Sequence, residues 1–484
     1  MVKFYICIVI FLSSDVLFCS IWPVWRGNTQ RNGFMPLPAI DNPVLKWDRD
    51  LGYRKSSIDI NKRIYTYDDE NLLNYDYNGN CNWKEKRDTS AVIEFIMADS
   101  LYALSYLSYS GTSYISKLLV YNPDHEILWK DGFSGEASYE LMYFNTILRN
   151  RNIWVVGIVN SQDLYEEGII CAYKDSGEKI WSICFFGCFK TGGNSNLECM
   201  SIDKNNTVYI ALCIDRYSEK RLIYAVDNGR IVWQKDYGEN VVLFDAPVLD
   251  DSNEETYVYL TYNELENNKT LLQCINGFNA NILWNFEREF CNEPLPPAIG
   301  KSGNIYIPDV TFLSKTNKLG EKISEKVLAD TIISPPVIDE DENIYIVTKE
   351  KVISFDLNFK ERWELSIDGF RRGVNIKLGE GKTIFVGNLC CIRDKTGIEV
   401  SYPKSYSLPI KISLSCSPNP FRDKLKIDLQ SSSDEDLKIY DITGRLLLNK
   451  SFSKGKHSFV WKASTSGVFI IKFGKEVKKA VRLE

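Results

Sequence analysis

One phrase recurs through most of the chain and limits what it can fold into. It is clearest at Ala172 to Trp181, AYKDSGEKIW: an apolar pair, a polar turn with a Gly, an apolar residue, and a Trp four positions after the Gly. Copies end at Trp83 (NYDYNGNCNW), Trp129 (VYNPDHEILW), Trp233 (AVDNGRIVW), Trp284 (INGFNANILW) and, in weaker form, Trp363 (SFDLNFKERW). Each describes a hairpin in which a strand, a turn of Asp, Asn and Gly, and a second strand present one large aromatic side chain. An isolated hairpin cannot bury such a side chain, so repetition requires stacked units that share a core.

Starting from Trp47, the aromatic slots fall at 83, 129, 181, 233, 284, 324, 363 and 401, with Ser324 and Ser401 in two of them. Subtraction gives intervals of 36 to 52 residues, a period that fits a four-stranded propeller blade better than a helical repeat. Aromatic residues make up 13% of the sequence, which favours strands, and no apolar pattern with a period of 3.6 runs for a useful length. Within each unit a polar turn precedes a β-branched and aromatic run, as in TVYIAL, NIYIP, NIYIVT, RIYTY and NIWVV. The Trp hairpin follows, giving four strands with the Trp on the last. The expectation is an all-β chain: an eight-bladed propeller over residues 21–405. Trp47 lies on a surplus outer strand that pairs with the last blade and closes the ring.

This grammar, with WPVWRGN near the start, resembles the quinoprotein-type propeller of the pyrroloquinoline-quinone repeat family. The resemblance implies the fold but not the cofactor, and no cofactor is expected. A quinone-dependent dehydrogenase is one alternative. Vicinal Cys390 and Cys391 bear on it, because some such enzymes hold the quinone beneath a disulfide between adjacent Cys. Here the pair falls on a strand, where adjacent side chains point to opposite faces, which disfavours the bridge.

The first twenty residues read as a signal peptide, with Lys3 ahead of the apolar run Phe4 to Leu12, too short to cross a bilayer. Ser20 is a plausible cleavage point; Cys19 suggests a lipobox, for which Phe18 is too bulky. No later segment is long and apolar enough to be a transmembrane span. Net charge is −6 with no long block of one sign, which offers nothing to nucleic acid. Cys7 and Cys19 aside, eleven of the thirteen Cys remain, an odd number without regular spacing and so not a disulfide framework. Cys184 and Cys188 flank a Gly turn and fit either a local disulfide or free thiols.

Two regions carry functional expectation. Units two to five are lengthened between their second and third strands, at YLSYSGTSY, NSQDLYEEG, CIDRYSEK and TYNELENNK. These insertions fall on one face of a propeller and bring Tyr106, Tyr109, Tyr114, Tyr165, Tyr217 and Tyr262. They read either as longer hairpins with solvated tips or as a surface for an unknown protein or glycan ligand. Catalytic sets are harder to find. Histidine is limited to His125 in a turn and His457 in the tail, neither at metal-ligand spacing, and neither a catalytic nor a metal site can be assigned.

The second region follows a linker at 406–412. Residues 413–484 alternate apolar positions with turn residues as a small antiparallel sandwich of about seven strands. Asn419, Pro420 and Phe421, then Tyr440, Asp441, Gly444 and Arg445, then Gly455, Trp461, Ser466 and Gly467, and the closing KKAVRLE, resemble the C-terminal sorting domain of the type IX secretion system; Phe469 stands where that family often has Tyr. The resemblance implies an Ig-like module, recognition by the secretion machinery and passage across the outer membrane. The expected protein is secreted or held at the cell surface, monomeric, and a non-catalytic binding or scaffold protein. The further alternative is a periplasmic outer-membrane assembly factor.

Overall fold

In the computed structural model, residues 28 to 483 are described, with interruptions of which the longest are 49–55, 187–199, 215–219, 368–373 and 397–412. The signal segment 1–20, Ser401, the linker 406–412, His125 and Cys188 lie outside the described residues. Among the described residues every regular element is a strand, and no helix is long and apolar enough to cross a membrane. The chain divides into two compact units, residues 1–400 and 401–484.

In the first unit, eight antiparallel sheets, I to VIII in chain order, are built from the described residues. Sheets I to IV run in simple order, for example Glu140–Asn150, Ile153–Gln162, Tyr165–Lys174 and Lys179–Phe186 in sheet III. Sheets VI and VII repeat this with short strands. In sheet V the first position is split between Val241–Leu243 and Val248–Asp250, both paired with Tyr257–Glu264. The five β-branched runs found in the sequence each form the second strand of a sheet.

Sheet VIII closes the ring. Its chain-consecutive strands are Ile376–Gly379, Thr383–Val386 and Cys390–Asp394, and its fourth is Pro43–Trp47, antiparallel to Cys390–Asp394. The expected pairing is present, with one correction. Trp47 is not surplus: it fills the fourth-strand slot of sheet VIII that the repeat count had given to Ser401. Trp47 Nε1 then donates to the Tyr77 carbonyl of sheet I at 2.9 Å, joining the last sheet to the first. The unit is a β-propeller whose inner strands, such as Ala298–Ile299 and Val337–Ile338, are buried throughout.

The segment just before that closing strand has a role the repeat count did not show. The Gln30 carbonyl accepts from Leu249 N, Asn32 from Ile299 N and Gly33 from Ile338 N, each at 2.9 Å. Thus one short stretch caps the first strands of sheets V, VI and VII in turn. Arg31, 1% exposed, donates from Nε to the Met200 carbonyl of sheet IV at 2.7 Å. Asp41 N and Asn42 N reach Asp394 Oδ2 of sheet VIII.

The second unit has seven described strands in two sheets. One orders Ser413–Ser417, Leu425–Ser431 and Gly455–Trp461; the other orders Leu446–Phe452, Glu435–Asp441, Gly467–Phe473 and Glu476–Arg482. Leu425 and Ile427 from the first and Ile439, Ile471 and Phe473 from the second share one core.

Candidate docking and sorting sites

The six Trp of the repeat, Trp83, Trp129, Trp181, Trp233, Trp284 and Trp363, all lie on fourth strands. Their surroundings show what the spacing is for. In sheets I, III, IV and VI the glycine four positions before the aromatic slot lies at the hairpin turn, against the indole of the sheet before. A Cβ built on Gly177 would lie 2.7 Å from Trp129 Cγ, on Gly229 3.0 Å from Trp181 Cβ, and on Gly320 2.6 Å from Trp284 Cδ2. Gly79 receives Trp47 in the same way. At Gly177 the backbone also has φ +83°, so glycine is required both by conformation and by lack of room.

Indole N–H groups complete the join. Trp284 Nε1 donates to the Lys318 carbonyl at 2.8 Å, Trp233 Nε1 to Gly277 at 2.6 Å, and Trp363 Nε1 to Ile40 at 2.7 Å. Four of the six indoles also face a second-strand Tyr of their own sheet: Tyr65–Trp83 and Tyr209–Trp233 at 6.1 Å, Tyr259–Trp284 at 5.9 Å, Tyr345–Trp363 at 5.8 Å. These aromatic residues are committed to holding sheets together.

The lengthened units look different in the structure from the loops the sequence suggested. The added residues extend the second and third strands: Leu101–Ser110 pairs with Ser113–Tyr121 in sheet II, against four- and five-residue strands in sheets VI and VII. Tyr106 and Tyr109 sit on the one strand and Tyr114 on the other, with Tyr109 opposite Tyr114; Tyr165 begins a strand of sheet III. Tyr217 lies outside the described residues. Tyr262 is corrected: it is 4% exposed within Tyr257–Glu264, its ring 5.5 Å from Tyr237 and its hydroxyl accepting from Gln273 Nε2 at 3.2 Å. The strand is buried on both faces at this point, so Tyr262 cannot anchor a surface ligand.

Cys390 and Cys391 occupy the third strand of sheet VIII as free thiols with separate partners, Asp48 Oδ1 at 3.2 Å and the Tyr77 carbonyl at 3.9 Å. Burial pushes both thiols up to about 12, which leaves them unreactive near neutrality. Cys184 is an exposed free thiol.

In the second unit the motif residues form two local constructions. Asn419 clamps the final strand: its Nδ2 donates to the Lys479 carbonyl at 2.7 Å and its Oδ1 accepts from Val481 N at 2.9 Å. Beyond Pro420, Phe421 N donates to the Val481 carbonyl and its ring, 1% exposed, packs near Trp461 and Phe469. Trp461 meets Phe469 edge-on at 4.8 Å. In the second construction, Asp441 caps a turn. Its Oδ1 accepts from Thr443 N and Arg445 N at 3.0 Å, Arg445 Nε reaches Oδ2 at 3.1 Å, and Gly444 has φ +85°. Hydrogen bonds from Thr443 lead the effects that hold the Asp441 carboxyl below its ordinary range. Tyr440 precedes this turn on its strand, and Gly467, φ +142°, opens the next.

Solved structures similar to the chain include BamB, PorZ and the Dos1 propeller. BamB from Moraxella catarrhalis aligns over 74% of this chain and 98% of its own, at 12% identity and TM-score 0.47. PorZ, described as a surface component of the type-IX secretion system of Porphyromonas gingivalis, aligns over 90% and 74%, at 9% identity and TM-score 0.33. The Dos1 propeller aligns over 80% and 92%, at 9% identity and TM-score 0.39. No curated protein matches the sequence. Residues 416–482 match the secretion system C-terminal sorting domain, so the last unit is an export address and the protein is secreted or held at the cell surface.

Proposed function

We propose that the chain is an eight-bladed propeller, residues 21–405, that acts as a binding or scaffold module at the cell surface, carried there by residues 413–484 through contact with the secretion machinery. The observation that carries this reading is how the conspicuous side chains are used. The repeat Trp are spent on docking one sheet against the next, while the chain's extra length is placed in the paired strands at one end of sheets II to V. That end is the face on which a partner protein or glycan would be met, through Tyr106, Tyr109, Tyr114 and Tyr165. The experiment uses the full chain, fluorescently labelled, on washed cells that lack it and on printed glycans. Retention that falls when residues 107–113 and 160–167 are replaced by short turns supports the reading. Retention unchanged by those replacements, or none at all, overturns it. Export is tested separately: deleting residues 413–484 is expected to leave the protein inside the outer membrane.

A further inference from the structure

The sequence supplied no catalytic set, but the fold brings together two residues that lie 321 positions apart. Lys377 is on the first strand of sheet VIII and Ser56 immediately precedes the first strand of sheet I, so they meet across the seam where the ring closes. Lys377 Nζ lies 2.7 Å from Ser56 Oγ. The lysine is 3% exposed and Ser56 is half-buried, so the amine is shielded beside a residue that keeps part of its surface in solvent. Beside it, the hydroxyl of Ser57, 1% exposed, has no hydrogen-bond partner among the described residues. Lys62 and Glu380 pair with each other at 2.8 Å, and among the described residues Ser56 is the hydrogen-bond partner of the Lys377 amine. Loss of hydration on burial pushes that amine down to about 7 from its ordinary 10.5. Near neutral pH a large fraction is therefore the free base, the form that can take a proton from a hydroxyl.

We propose that Ser56 and Lys377 form a serine–lysine acyl-transfer pair, with Ser56 as nucleophile, Lys377 as its base, and carboxylic esters as the substrate class. The inference goes beyond the binding reading and adds a chemical step to it. Ser56 Oγ attacks the ester carbonyl carbon as its proton passes to Lys377 Nζ. The carbon–alkoxy bond breaks and the departing oxygen takes that proton, leaving an acyl ester on Ser56. Water then attacks the acyl carbon and gives a proton to Lys377; the Oγ–acyl bond breaks, Oγ is reprotonated, and the acid departs. Serine–lysine pairs are a known variant of the serine–histidine arrangement, recognised by geometry rather than by sequence order.

The test is acetylation by p-nitrophenyl acetate, followed by intact mass and by mapping of the modified residue, on the full chain. Expected is one acetyl group on Ser56, formed at a rate that rises as pH passes through neutrality. The rate should fall on the order of 100-fold in Lys377→Met and the adduct should vanish in Ser56→Ala. Thermal melting verifies that both variants are folded. If Lys377→Met fails to fold, Ser56→Cys keeps the test open: its thiol should alkylate with iodoacetamide far below the pH at which an ordinary Cys does. Acetylation of Ser56 no faster than of other hydroxyls, or persisting in a folded Lys377→Met, overturns the proposal and leaves the pair as a structural latch. A cysteine at 56 that alkylates like an ordinary thiol overturns it equally. None of these outcomes touches the surface-binding test.

Discussion

The ring of Phe359 stands 6.2 Å from that of Tyr306, the station that the sheet's own Trp holds beside its Tyr in sheets I, IV, V and VII. Sheet VI has no such Trp, because Ser324 occupies the slot. Phe359 comes from sheet VII, at the turn position that is Gly in sheets I, III, IV and VI. It keeps the left-handed backbone of that position, φ +62°, and is 6% exposed. The indole N–H is replaced as well: Lys315 Nζ donates to the Leu357 carbonyl at 2.9 Å, the position matching Lys318, which accepts from Trp284. A Trp and Gly pair has become a Ser and Phe pair, with a lysine supplying the missing donor.

This exchange predicts coupling. Phe359→Gly should remove about 3–5 kcal/mol of packing, offset by about 1–2 kcal/mol of backbone strain relieved. Ser324→Trp alone should overpack against Phe359 and cost about 1–3 kcal/mol. The double variant should recover most of both losses. Denaturant unfolding of the four proteins measures this, and strictly additive losses would refute it.

Ordinary junctions should fail from either side. Trp181→Ala is expected to lose about 3–5 kcal/mol by emptying the contact with the Gly229 turn. Gly177→Ala should cost at least about 1 kcal/mol through its φ of +83°, and more where the new Cβ meets Trp129. Thermal melting checks both, and a Trp181→Ala protein as stable as its parent would sink the docking assignment.

Stability should change with pH at the seam. The Lys377 amine titrates near 7 folded and near 10.5 unfolded. Between those values the unfolded chain binds the extra proton, so stability rises with pH, each unit of difference being worth about 1.4 kcal/mol. Below pH 7 the lysine is protonated in both states and the full cost of burying the charge is felt. In Lys377→Met the rise between pH 7 and 10 should flatten. A slope identical to that of the parent protein would show that the amine does not titrate in this range.

In the last unit, Asn419→Ala removes two hydrogen bonds to the final strand, at 2.7 and 2.9 Å. The expected loss is on the order of 1 kcal/mol, since both bonds are open to water. Faster proteolysis of the tail and a smaller exported fraction are the readouts.

Much of this was legible in sequence because it follows from local rules. The Trp phrase gave the hairpin, its turn and the fourth strand, since turn residues and a single large aromatic are encoded within ten positions. The motif residues of the tail were legible for the same reason: the Asp441 to Arg445 turn is closed by its own side chains. The lengthened hairpins were visible as extra residues, but not as extra strand, because whether an insertion pairs or loops depends on its partner across the turn. Tyr262 was misplaced on that account.

By itself, then, the sequence determined the strand repeat, the all-β class and the export address, each written in contiguous residues. Tertiary structure alone decided what depends on distant pairing. It made Trp47 the fourth strand of sheet VIII, laid the Gln30 to Asn42 stretch along the inner strands, supplied Phe359 for the Trp missing at 324, and set Lys377 against Ser56 across 321 positions. None of these leaves a local mark, because closing a ring selects partners by where the chain's ends meet, and spacing along the chain carries no record of that.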